Sequence, residues 1–236
     1  MSKQKDDDDK LVDFYKHIDK SLLKTYKNPH YEKHHISIPF LMGIFGGSGA
    51  GKTQTLLNIL RKFNNTFVKM ILCVRSADEP LYKHLVQKIP SSALEVYENG
   101  IVPEVDKYKE GNDEARVIVF DDLIVMKNQQ PIVEWLIRGR KAGFSMCYIS
   151  QSFYKVPKII RVQMNYIILK RLTSLKDLKL ILSEYNLSQS KDKIIKIYKE
   201  VTMENKQNFL MIRTDAEPKQ RFCKNFKTYI DLGDDV

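Results

Sequence analysis

Cysteine is scarce and scattered in this chain. Its 236 residues hold three, Cys73, Cys147 and Cys223, with no CxxC pair and no even count. That usage excludes a disulfide framework and a cysteine zinc site, and it points to a reducing compartment. Long apolar runs are missing too. No stretch reaches the roughly 18 apolar residues of a membrane span, and the N-terminus is polar, so neither a membrane partner nor secretion is expected. There is no internal repeat. Three clustered histidines, His30, His34 and His35, have no carboxylate or cysteine pattern around them, so no metal centre is expected there.

What is present suits one α/β domain with small additions. Hydrophobic residues make up 43% and charged residues 29%, enough apolar material for a core. The formal charge of +10 is uneven. Residues 1–137 carry 19 Lys+Arg and 19 Asp+Glu, whereas residues 138–236 carry 20 and 10. A neutral half joined to a basic half fits either a polyanion partner or a lysine-rich solvated surface.

Along the chain, Asp6-Asp7-Asp8-Asp9-Lys10 is a charge run expected to be disordered. It also spells an enterokinase cleavage site and is set aside from fold reasoning. Residues 11–26 place Leu11, Phe14, Tyr15, Ile18, Leu22 and Leu23 at helical spacing, which predicts one short amphipathic helix, and residues 29–35 read as a linker. From residue 36 the pattern becomes short apolar runs separated by helices. Strands are predicted at 38–45, 68–74, 116–120, 145–149, 166–169 and 209–213, and helices at 52–63, 80–88, 131–141, 175–185 and 190–202. Such alternation predicts a mainly parallel sheet with helices on both faces. The expected division is 1–35 as tail, helix and linker, and 36–236 as one domain with a basic C-terminal part.

The chemistry is concentrated in Gly46-Gly47-Ser48-Gly49-Ala50-Gly51-Lys52-Thr53, a complete GxxxxGK[ST] match with an apolar strand entering and an apolar helix leaving. Its glycines let backbone N–H groups turn inward to cradle the phosphates of ATP, and the helix N-terminus, with Gln54 next in line, adds its positive end. Lys52 should reach the β- and γ-phosphates, and Thr53 should offer its hydroxyl to Mg²⁺. Asp121 and Asp122 follow the buried run Val117-Ile118-Val119-Phe120, where the strand end faces the phosphate loop. Asp121 would hold Mg²⁺ and Asp122 would orient or deprotonate the attacking water, although the pair could also cap the next helix. Gln151, after the strand at 145–149, is the candidate to hydrogen-bond the γ-phosphate or the water; a loop amide is the alternative.

Strand, phosphate loop, acid doublet and strand-end glutamine together resemble the FtsK–HerA group of P-loop ATPases, a RecA/ASCE-like fold. The segments Arg138-Gly139-Arg140, Ser150-Gln151-Ser152-Phe153-Tyr154-Lys155-Val156-Pro157 and Ile160-Arg161 look like the DNA-packaging ATPases of poxviruses, other large DNA viruses and their virophages. The resemblance covers about residues 38–185, with a weaker echo at 209–226. It implies ATP-driven translocation of double-stranded DNA into a capsid by a homo-oligomeric ring, pentamer or hexamer. A capsid vertex protein would be the partner, and the setting would be the cytoplasmic viral factory and the virion. It makes Lys52, Asp122 and Gln151 catalytic, and Arg140 the first candidate for an arginine finger reaching a neighbour's γ-phosphate, ahead of Arg138 and Arg161. Asp122 stands where relatives outside the viral branch often carry the longer Glu, so its water must sit slightly differently. A small-molecule or nucleotide kinase and an ATP-binding adaptor are the competing functions.

Overall fold

A computed structural model describes residues 11–108 and 114–233. The acidic run 6–10 lies outside the described residues. The elements follow in order as α1 (Tyr31–His34), β1 (Leu41–Phe45), α2 (Lys52–Lys62), β2 (Lys69–Val74), α3 (Pro80–Lys88), β3 (Leu94–Tyr97) and β4 (Arg116–Asp121). Then come α4 (Gln130–Arg138), β5 (Phe144–Ser150), α5 (Lys158–Arg161), β6 (Tyr166–Leu169), α6 (Leu175–Glu184), α7 (Lys191–Glu204), β7 (Leu210–Arg213), α8 (Pro218–Arg221), β8 (Phe222–Lys224) and β9 (Thr228–Tyr229).

The apolar runs without alternation become strands buried on both faces, as central parallel strands must be. All five residues of β1 and all seven of β5 are buried. The sheet order is β3-β2-β4-β5-β1-β6-β7-β8-β9. From β3 to β6 every pairing is parallel, and β7, β8 and β9 extend the edge as an antiparallel meander. Side chains leave the sheet alternately to two cores. One holds Met42, Ile44 and Leu72 against Leu56 and Ile59 of α2 and Leu85 of α3. The other holds Phe45, Ile118 and Tyr148 against Trp135 of α4, Ile181 of α6 and Ile197 of α7. Trp135 anchors α4 by donating its indole N–H to the Pro103 carbonyl at 2.7 Å. Helices α6 and α7 start where Ser174 and Ser190 accept backbone N–H groups of their first turns.

Two N-terminal expectations fail. Residues 11–26 form only two 3-10 turns, Phe14–Lys16 and Lys20–Leu22. Leu11, Phe14, Tyr15 and Leu22 stay exposed, so the apolar stripe has no surface to pack on, and a lone helix this short does not hold itself together. The expected linker at 29–35, conversely, is tied to the body. It contains α1, and His34 is fully buried with its ring 4.1 Å from that of Phe63. Strand β3 gives no clear signal because its four residues, Leu-Glu-Val-Tyr, run from buried Leu94 to exposed Val96 and make too short a pattern.

His34 Nδ1 accepts the Ile36 N–H at 3.0 Å, so the ring must stay neutral in the fold. Burial lowers its pKa from 6.5 to about 4, with the Glu32 carboxylate opposing. Above pH 6.5 both folded and unfolded states are neutral; between 6.5 and 4 only the unfolded chain takes the proton, so stability falls as pH falls. Urea titrations at pH 7 and 4.5 should show the wild type losing about 1–3 kcal/mol more than His34→Phe over that interval. Equal losses in the two proteins would show that His34 does not couple folding to protons.

Candidate active site

The phosphate loop leaves β1 pinned at both sides. The Gly46 N–H donates to the Ser150 carbonyl at 3.4 Å and the Gly47 N–H to the Arg171 carbonyl at 2.8 Å. Gly46 is required by crowding: a Cβ there would stand 2.6 Å from Lys170 Cβ. Gly51, the N-cap of α2, has φ +84°, a left-handed conformation that side chains disfavour. The loop and the start of an 11-residue helix open onto one cleft.

That cleft, of about 300 Å³, brings together most of the residues expected to act. Ser48, Gly49, Gly51, Lys52, Thr53 and Gln54 line it from the loop, Asp121 and Asp122 from the end of β4, and Gln151 from the end of β5. Lys52 Nζ donates to the Gly46 and Gly47 carbonyls, both at 3.0 Å, and so lies across the loop mouth. Burial lowers its pKa, against the opposing pull of Asp121, Asp122 and Glu79. Asp121 is buried, which raises its pKa to about 6, with Glu79 and Asp122 adding repulsion. Lys52 and a hydrogen bond from the Tyr82 hydroxyl pull the other way. Asp122 is half-buried, has φ 54° and directs its own N–H to the Ile149 carbonyl at 3.3 Å. Aspartate is among the few residues that tolerate this left-handed backbone.

Two contributors escaped sequence reasoning. Glu79, at the N-cap of α3, adds a third carboxylate to the cleft, and Tyr82, one turn on, fixes Asp121. The signal was an acid directly before Pro80, five residues past the apolar run that ends at Val74, but only the pairing of β2 with β4 brings it to Asp121.

The arginines are placed very differently. Arg140 is exposed in the turn after α4, before β5 begins. β5 is seven residues long, so roughly 20 Å of strand separates Arg140 from Gln151 of its own chain. Arg138 pairs with Asp106 in a bidentate contact. Arg161 is buried in an ion pair with Glu184 at 2.7 Å and donates to the Phe153 and Tyr154 carbonyls. It holds the segment after β5 in place and has no free end to offer another subunit.

This geometry sets separate expectations for the cation and the base. Lys52→Ala should lower kcat by at least about 100-fold, the loss expected of a positive group that serves developing phosphate charge. Asp122→Asn should abolish turnover while nucleotide affinity stays within about threefold, since asparagine keeps the left-handed backbone and only the basic oxygen is removed. Steady-state hydrolysis and equilibrium nucleotide binding on both variants check this. Wild-type turnover in folded Asp122→Asn would remove it from the role of base.

Comparison with known proteins places the chain in a family. The family described as Poxvirus A32 protein matches residues 27–229. Among curated proteins no sequence relative matches. In fold, the chain is similar to the genome packaging NTPase B204 of Sulfolobus turreted icosahedral virus 2 in complex with AMPPCP. Identity is 15% and the TM-score 0.54, over 79% of this chain and 96% of that one. The DNA-packaging ATPase B204 of Sulfolobus turreted icosahedral virus gives 15% and 0.55, over 80% and 98%. ATPases 2 and 3 of EssC from Geobacillus thermodenitrificans give 10% and 0.54, over 84% of this chain and 41% of that one. The match over most of its length shows that the chain belongs to the poxvirus A32 protein family.

Proposed function

We propose that this ATPase drives double-stranded viral DNA into a capsid, working with Mg²⁺-ATP as a homo-oligomeric ring of five or six subunits against a capsid vertex protein, in the cytoplasmic viral factory and the virion. The observation that carries the reading is the single cleft in which Lys52, Thr53, Asp121, Asp122 and Gln151 converge. The donor set suits magnesium: a threonine hydroxyl and one buried carboxylate are hard oxygens, and Mg²⁺ is ordinarily held by one or two carboxylates together with substrate phosphates. Bound there, Mg²⁺ would neutralise charge on the β- and γ-phosphates. Thr53 and Asp121 would hold it, with Tyr82 fixing the carboxylate. Lys52 would turn from the loop carbonyls to the phosphates. Asp122 would accept a proton from the attacking water, and Gln151 would orient that water. A kinase takes its nucleophile from a substrate, so it has little use for a second acid beside the first. Among the described residues no helix is long and apolar enough to cross a membrane.

Double-stranded DNA should stimulate hydrolysis by this protein, whereas a kinase would label an acceptor and an adaptor would hydrolyse nothing. DNA binding should be independent of sequence, with log affinity falling linearly in log salt by about 0.9 per phosphate contact. The cations available for it are fewer than the charge count suggests, because Arg161, Lys170, Arg171, Arg221 and Lys224 are engaged within the fold. Exposed Lys141, Lys155 and Lys158 are the better candidates, and reversing their charge should reduce the salt slope. A slope unchanged by those reversals would place DNA elsewhere.

Arg140 is too far from its own cleft to act there, so its catalytic role requires a neighbour. Doping wild-type protein with Arg140→Ala subunits, without DNA, should depress hydrolysis more than in proportion to the mutant fraction, since such fingers contribute about 10³–10⁵ in rate. A strictly linear decline would remove it from the role.

A further inference from the structure

The short segment that follows β5 joins two surfaces. Gln151 lines the acid-bearing cleft, whereas Tyr154 and Lys155 stand exposed to solvent. Between them Phe153 is fully buried. Its ring meets that of Phe45 edge-on, with centroids 5.1 Å apart, and Phe45 is the last residue before the phosphate loop. The inward positions continue with Val156 and Ile160 in the same core, so Tyr154, Lys155, Lys158 and Ile159 are left facing outward. Tyr154 is 73% exposed. The path from cleft to surface is braced on both sides. Buried Asp177, in the first turn of α6, accepts the Ser152 hydroxyl at 3.1 Å and the Tyr154 N–H at 2.9 Å with one carboxylate oxygen. Arg161 donates to the Phe153 and Tyr154 carbonyls at 3.3 and 3.2 Å, lies 5.0 Å from the Phe153 ring centroid, and is itself fixed by Glu184.

Exposed connections ordinarily run over the surface with mobile, solvated backbone. This one has both backbone groups of Tyr154 held by buried ionic side chains, so an exposed aromatic ring projects from a fixed base. We propose that Tyr154, Lys155 and Lys158 form the duplex-DNA contact nearest the nucleotide, and that Asp177 is the positioning residue that links this contact to Gln151. The chemistry suits a phosphate backbone. A tyrosine hydroxyl and two lysine ammoniums donate to phosphate oxygens, which fix position without carrying sequence information, as a sequence-independent grip requires. The outward cations have no carboxylate within ion-pair distance among the described residues, unlike Arg161 and Lys224. Because Asp177 ties Ser152 and Tyr154 to one oxygen, a displacement of the outer tip on DNA is passed to Gln151 at the inner end instead of being absorbed by a slack loop.

The inference rests on the DNA reading above, and the test separates the two. Binding of a fluorescent DNA duplex is measured across a salt series, and hydrolysis is measured with and without saturating duplex. Tyr154→Ala and Lys155→Glu should each weaken duplex binding at least about fivefold, and Lys155→Glu should reduce the salt slope by about 1. Lys196→Glu, the same reversal at an exposed position of α7, should stay within about twofold of the wild type. The ratio of DNA-stimulated to DNA-free hydrolysis should fall at least about threefold in Asp177→Ala. It should recover in Asp177→Asn, whose amide oxygen can accept the same two hydrogen bonds. Duplex affinity and slope unchanged in Tyr154→Ala and Lys155→Glu would overturn the contact. An unchanged ratio in Asp177→Ala, whether both rates fall or neither does, would leave Asp177 a structural brace and overturn the link. A wild type that neither binds duplex nor is stimulated by it would refute the DNA reading itself, and the proposal with it.

Discussion

The parallel register of three central strands is the constraint on which the site depends. β5 lies between β1 and β4, pairing Phe45 with Ser150 and Ile149 with Asp121. Because the strands end level, the next residues of each, Gly46, Gln151 and Asp122, emerge side by side at one edge. A slip of one residue in either pairing would turn every side chain of that strand to the other face. Burial on both faces prevents such a slip: Ile44 and Ile149 must enter the α2 core while Phe45 and Tyr148 enter the α4 core.

Function at that edge is held against folding preference. Three carboxylates, Glu79, Asp121 and Asp122, face one cleft, and Asp121 is buried. Asp122 adopts a left-handed backbone. Neither feature helps the fold, and such costs persist where the surroundings leave no choice. The Tyr82 hydroxyl and the Lys52 ammonium offset part of the repulsion.

The basic C-terminal half has a partly internal explanation. Lys170 and Arg171 neutralise backbone carbonyls at the C-terminal end of α7 and in the following turn. Cations are favourable there because helix carbonyls at that end lack partners. The same residues bind the phosphate loop, through the Gly47 N–H and the Arg171 carbonyl, to α7 and the antiparallel edge. Part of the positive charge that sequence counting ascribes to a polyanion partner therefore ties the C-terminal region to the nucleotide site.

The sequence by itself determined the phosphate loop, the acid doublet, Gln151 and the parallel alternation, because each is a local signal: glycines at fixed offsets, or an unbroken apolar run ending in polar residues. Only the tertiary structure decided what depends on distant partners. The stripe at residues 11–26 has helical periodicity, but among the described residues nothing covers it, while His34, in an apparent linker, is buried beside Phe63. Glu79 and Tyr82 carry no motif and join the site only because β2 lies beside β4. Arg140 and Arg161 look alike in sequence, yet one is exposed and the other locked to Glu184. Periodicity records which side of an element is apolar; whether a surface exists to receive it, or a carboxylate to neutralise a charge, is settled by residues far away in the chain.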